Sequence, residues 1–381
     1  MLSRRAALAA LAAAPMLGGL AQRRPKQELL PPVAVPLRIQ ENTPWTTVKA
    51  GETDPIPFVL SLISNFMHCD PSLVKAMGAV KDTRWGLNGY RVPNVMLGGK
   101  LGLDAMPLIP YENYYDRRPV GGTFELNVFS VYQLDWDALQ LTVIYDPQAK
   151  PTGYEPLEAA RGQGFGFPVV KARLNGRPVS LLINTVTPGG LVLKGTDEFL
   201  GMAKAAPRRR ENIGQDGAHA GFTFVAEALE IGPARIPEPI VRVGPNPILP
   251  WVGESHGRPE GWVDGFIGFD IAKRMNLFMN HPQKMLWAKP SALMGDLHMD
   301  DRAGLNLYGH GIYYRIGEID PKGPAAKAGL KDGDWITDYA GPRGLSGLPW
   351  AFTRKPGTVV EFEAERGGRK FRATVVTEER V

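Results

Sequence analysis

Cysteine is almost absent: Cys69 is the only one in 381 residues. A single thiol excludes an internal disulfide framework and any thiolate metal cluster, so the apolar core must carry stability alone. Cys69 itself reads as a small buried thiol. Histidine is sparse as well, and the six present are scattered without paired ligand spacing. No metal site and no cofactor are expected. Concentrated positive charge is also missing. Lys and Arg number 44 against 39 Asp and Glu, a formal charge of +5, and no basic stripe of the kind nucleic-acid binding requires is visible. The triplet Arg208-Arg209-Arg210 reads as a solvated loop. The Ala/Leu-rich run at residues 6–20 is too short and too rich in alanine to span a bilayer. No transmembrane span is expected in the mature form.

That run carries information of another kind. It follows Ser3-Arg4-Arg5 and ends in small residues, Gly19 and Ala21. A charged start, a short apolar stretch and a small-residue exit are the pattern of a signal peptide, assigned to residues 1–21. The paired arginines followed by Leu8 fit Tat export, and Sec export fits equally. The protein is therefore expected to be exported, periplasmic or secreted. Residues 22–44 are rich in proline and charge and read as a linker. Abundant Gly and Pro, 44 and 34 residues, favour short strands and turns over long helices.

A repeat organises the middle of the chain. Gly122-Thr-Phe-Glu-Leu-Asn-Val-Phe-Ser-Val-Tyr-Gln-Leu-Asp-Trp-Asp137 aligns without a gap on Gly265-Phe-Ile-Gly-Phe-Asp-Ile-Ala-Lys-Arg-Met-Asn-Leu-Phe-Met-Asn280. Each copy has a glycine, a short apolar turn, a brief helical stretch and a strand, then a further strand at 139–145 or 284–288. Upstream, each has an apolar strand ending in small polar residues, at 57–64 and 179–187. Asn175-Gly176 between two alternating apolar runs is a strong hairpin signal. Further hairpins are expected at 95–99 and 229–232. The reading is mainly β: two tandem lobes, 45–148 and 160–290, followed by an α+β domain at 300–381.

The residues Asn175-Gly176-Arg177-Pro178-Val179-Ser180-Leu181-Leu182-Ile183-Asn184-Thr185 resemble the opening of a retropepsin-like aspartic-protease lobe. Val263-Asp264-Gly265-Phe266-Ile267-Gly268 resembles that family's closing apolar-apolar-Gly motif. The first lobe repeats the plan more faintly, from Phe58-Val59-Leu60. The resemblance implies two lobes pairing about a central groove, with a catalytic aspartate from each. Where the family carries Asp-Thr-Gly, however, this chain has Ser61-Leu62-Ile63 and Asn184-Thr185-Val186. The chemistry needs two carboxylates sharing one proton, and neither Ser61 nor Asn184 supplies one. No catalytic residue is therefore expected at either position. Asp135, Asp137 and Asp264 are substitute carboxylates only in principle.

The tail resembles a bacterial PDZ domain through Asp320-Pro-Lys-Gly-Pro-Ala-Ala-Lys-Ala-Gly-Leu-Lys-Asp-Gly-Asp-Trp-Ile336. Such domains bind an extended peptide as an added strand. By resemblance the binding loop is Arg302-Ala303-Gly304-Leu305-Asn306-Leu307, with Arg302 on the surface and Gly304 permitting close approach. Gly253-Glu254-Ser255-His256-Gly257 matches a nucleophile-elbow pattern, but surrounding prolines make it a loop. The expected function is an exported pseudo-aspartic-protease that binds peptide or protein segments without cleaving them. The competing expectation is an active aspartic-type endopeptidase using non-standard residues.

Overall fold

In the computed structural model, the described residues are 29–63, 66–85, 89–110, 121–158, 168–213, 219–244, 263–310, 313–342 and 344–381. Signal-peptide residues 1–21, the start of the linker and the 253–257 pattern lie outside them. The short strands, punctuated by glycine turns, form four sheets. At Asn175 and Gly176 the backbone is left-handed, φ 50° and 79°, as a two-residue hairpin turn requires. It joins strand Val169–Leu174 to Arg177–Ile183. The turns at Gly98-Gly99 and Gly232 close the other two expected hairpins.

The two lobes repeat one strand arrangement. In the first, strand Ile56–Ser61 runs parallel to Gly122–Glu125, which is antiparallel to Met67–Cys69. In the second, Arg177–Ile183 runs parallel to Gly265–Ile267, which is antiparallel to Leu191–Lys194. The registers Phe58 to Gly122 and Leu181 to Gly265 make Ser61 and Asn184 equivalent positions. Between the lobes lies a six-stranded sheet. Its middle pair, Val131–Asp135 and Met275–Asn280, places Leu134 opposite Leu277. Those two leucines are equivalent in the ungapped repeat, so a local two-fold axis passes between them. One apolar core runs through both lobes, from Val35 to Ala288.

The linker expectation fails from Val33 onward. Strand Val33–Pro36 pairs with Gln140–Ile144 at the margin of the central sheet. It mirrors Glu155–Pro156, which pairs with Met285–Pro290 at the opposite margin. The prolines that suggested a linker are tolerated because an edge strand does not need every amide. Strands Arg38–Gln40 and Thr43–Lys49 follow, so residues 33–44 belong to the first lobe.

The C-terminal domain has its own core, from Ala303 to Val375. Its five strands lie in chain order, Leu305–His310, Tyr313–Ile319, Trp335–Asp338, Val359–Arg366 and Arg369–Val376. Helix Pro324–Lys327 starts on a proline at its first turn, the position where a missing amide is harmless. The arginine triplet is no solvated loop. Arg210 makes a two-pronged contact with Asp300, at 2.7 and 2.5 Å, and Arg208 donates to the Val381 carbonyl at 2.8 Å. Both ties join the second lobe to the C-terminal segment.

Candidate functional site

The strands Ile56–Ser61 and Arg177–Ile183 bring the loops that begin at Ser61 and Asn184 to the lobe boundary. Contact across that boundary is direct: Thr185 Oγ1 donates to the Leu60 carbonyl at 2.8 Å. The bond is one-sided, because the residue equivalent to Thr185 is Leu62, buried and without a hydroxyl. Thr185→Val keeps the shape and removes this bond. An expected loss of about 1–2 kcal/mol follows for a buried hydrogen bond. Urea denaturation reads it, and an unchanged midpoint would show that the bond carries no stability.

Ser61 and Asn184 serve their own loops. Ser61 Oγ accepts the Ile63 N–H at 3.3 Å, and Asn184 Oδ1 accepts the Val186 N–H at 3.1 Å. Asn184 Nδ2 donates to Thr187 Oγ1 at 3.0 Å, and its backbone N–H to Ile267 at 2.8 Å. Both side chains are sealed, at 1% and 0% exposure. Neither has an ionisable group to move a proton, and neither faces bulk water.

The residues at the family's glycine positions cross between lobes. Ile63, from the first lobe, packs with Val169, Leu182, Val263 and Phe266 of the second. Val186, from the second, packs against Trp45 and Val59 of the first. Neither residue has a left-handed backbone, so these loops no longer need glycine. The two branched side chains act as reciprocal apolar plugs between the lobes.

The carboxylates named in principle are all structural. Asp135 Oδ1 accepts the backbone N–H groups of Asp137 and Ala138. Asp137 accepts from Asn276 and from the Ala292 backbone, both at 2.7 Å. Asp264 accepts the Ser180 N–H at 2.9 Å and pairs with Lys194. Sequence reasoning passed over Glu125. It is buried, stands in register with Ser61, and accepts from Thr123 Oγ1 at 3.1 Å. Its signal was present in the ungapped repeat, where Gly268 occupies the equivalent place. A Cβ at Gly268 would lie 2.1 Å from the Gly189 carbonyl, so only the first lobe has room for a side chain there. Cys69 is buried, and burial with the nearby Asp70 charge pushes its thiol up to about 12, which leaves no thiolate near neutral pH. Among the described residues no cluster suited to a metal ion is found, and no helix is long and apolar enough to cross a membrane.

In the C-terminal domain the six candidate residues divide. Arg302 is a correction: it is buried at 1% exposure, and its guanidinium donates to the carbonyls of Thr353 and His298, each at 3.0 Å. A planar fork can satisfy several carbonyls at once, which a surface reading overlooks. Ala303 and Leu305 belong to the core. Gly304 has φ 77°, and a Cβ there would lie 3.1 Å from Gly323, so any side chain at 304 is strained. Asn306 is exposed and donates to Glu318 at 3.0 Å, and Leu307 is half-buried. Among the described residues strand Leu305–His310 lies at one edge of its sheet, and it carries no acidic or basic chain apart from His310 at its end. The opposite edge strand, Arg369–Val376, carries Arg369, Lys370 and Arg372, the usual guard against strand addition.

No protein-family model and no curated protein matches the chain. Among solved structures it is similar to the aspartic proteinase from Irpex lacteus, at 10% identity and a TM-score of 0.46, covering 70% of this chain and 99% of that one. It is also similar to Basic 7S globulin from soybean, at 10% identity and a TM-score of 0.40, covering 70% of this chain and 97% of that one.

Proposed function

We propose that this chain is an exported, catalytically silent protein of aspartic-protease-like plan that holds extended polypeptide segments on a PDZ-type C-terminal domain. The observation that carries the binding half is the unguarded edge strand Leu305–His310. A sheet edge without repelling charges adds a strand from a partner. The silent half rests on Ser61 and Asn184, each buried and each bonded within its own loop. The bilobal body then serves as a rigid platform, its lobes locked by the crossed plugs Ile63 and Val186.

The competing reading, an endopeptidase on non-standard residues, has one group to call on. Glu125 is the carboxylate in register with Ser61. A dyad takes two carboxylates sharing one proton, and neither Ser61 nor Asn184 supplies one. The purified chain should therefore show no pepstatin-sensitive cleavage of quenched peptide libraries at any pH from about 3 to 7, the range in which such acids and bases operate. Cleavage that tracks with the chain and disappears in Glu125→Gln would establish the enzyme instead.

A further inference from the structure

The head of strand Leu305–His310 already holds a carboxylate of its own. Asp301 Oδ1 accepts the backbone N–H groups of Ala303 at 3.0 Å and Gly304 at 2.9 Å. Its other oxygen pairs with Arg380, which also reaches Asp320 at 2.5 Å. Two amides of the loop, where an incoming anion would dock, are thus satisfied from within the chain.

The surroundings act in the same direction. A cavity of about 350 Å³ opens beside Gly304, Leu305 and Asn306 and is walled on its far side by the second lobe. Five carboxylates line it, those of Glu211, Asp300, Asp301, Glu318 and Asp320, against the guanidiniums of Arg210, Arg242 and Arg380. Arg210 is taken by Asp300, and Arg380 by Asp301 and Asp320. Only Arg242 has no carboxylate partner among the described residues, and with it counted the lining still carries a surplus of two negative charges. A terminal carboxylate arriving here meets filled amides and like charge, whereas a basic side chain meets attraction.

We propose that the edge Leu305–His310 takes an internal, extended and basic polypeptide segment and gains nothing from a free C-terminal carboxylate. This rests on the strand-addition reading above. The main chain of the segment pairs with the edge, and its basic side chains point into the carboxylate-lined cavity.

The test uses the full chain and four fluorescent dodecapeptides read by polarisation. All alternate valine with a polar residue. Two carry lysine and two carry glutamate at the polar positions, each as free acid and as C-terminal amide. The lysine acid and lysine amide should bind within about twofold of each other, and about tenfold or more tighter than their glutamate counterparts. Asp301→Ala empties the two amides, and the lysine free acid should then gain about fivefold over its amide. The Leu307 amide faces the edge, because Ile316 opposite it spends both main-chain groups on Gly333 and Asp334, so Leu307→Pro should weaken every probe by removing a backbone donor. A wild-type chain that prefers the free acid tenfold would overturn the inference and leave the binding reading standing. Affinities indifferent to Leu307→Pro, or no saturable binding by any probe, would overturn both.

Discussion

Replacing Ile63 and Val186 together by glycine should destabilise the protein by about 4 kcal/mol rather than restore a catalytic turn. The resemblance, which puts glycine at both places, suggests the opposite sign. The structure reverses it. Neither residue has a left-handed backbone, so glycine relieves no strain and adds only the entropy of a freer unfolded chain, about 0.5–1 kcal/mol per site. Ile63 is 9% exposed and lies among four apolar residues of the other lobe. Emptying such a site costs about 2–5 kcal/mol. Val186 is half-buried against Trp45 and Val59 and contributes less. The single variants should sum to less than the double, because both plugs close the same boundary and neighbouring lesions couple. Urea denaturation of the three variants measures this. A double-variant loss under about 1 kcal/mol would mean that the plugs are ornaments of the surface and the lobes are held elsewhere.

Much of the fold was legible because it was written in local terms. The ungapped repeat located both copies of the central strand, and Leu134 opposite Leu277 is the point about which they turn. Asn175-Gly176 announced its hairpin because few other pairs adopt two left-handed conformations in succession. Other features depended on partners distant in sequence. Apolar periodicity shows that Ile63 and Val186 want burial but not that each is buried in the opposite lobe. Arg210 and Arg302 looked like surface charge, since Asp300 and Thr353 come within reach only through the fold. Val33–Pro36 was hidden by the prolines that an edge strand accepts. That Ser61 and Asn184 are not carboxylates could be read directly; the repeat set Glu125 against Gly268, but its place beside Ser61 is a matter of parallel register.

The second large effect is expected where the bilobal body meets the C-terminal domain. Asp270 is fully buried at the start of the short helix Phe269–Ala272. His298 Nδ1 lies 2.9 Å from its carboxylate, with Arg274 and Lys273 each at 3.7 Å. Arg274 in turn donates to the carbonyls of Asp270 at 3.0 Å and Asp296 at 2.8 Å, and to that of Met294. A buried ion pair is a poor stabiliser compared with well-packed apolar groups, but removing one partner strands the other charge. Asp270→Ala leaves a fully buried guanidinium without its carboxylate and should lose about 3–5 kcal/mol. Asp270→Asn keeps an acceptor in place and should lose less. The pH dependence separates charge from shape. Burial raises the Asp270 pKa, but His298, Lys273 and Arg274 more than offset this and hold it below its ordinary value of 3.8. A carboxylate with a depressed folded pKa contributes its full stability above the unfolded value and loses it as pH falls through the folded one. The stability gap between the natural chain and Asp270→Asn should therefore shrink steadily below about pH 4. Thermal unfolding of both proteins across that range is the measurement. A gap that stays constant far into acid would show that Asp270 acts through its shape and hydrogen bonds, and that its charge does not hold the junction.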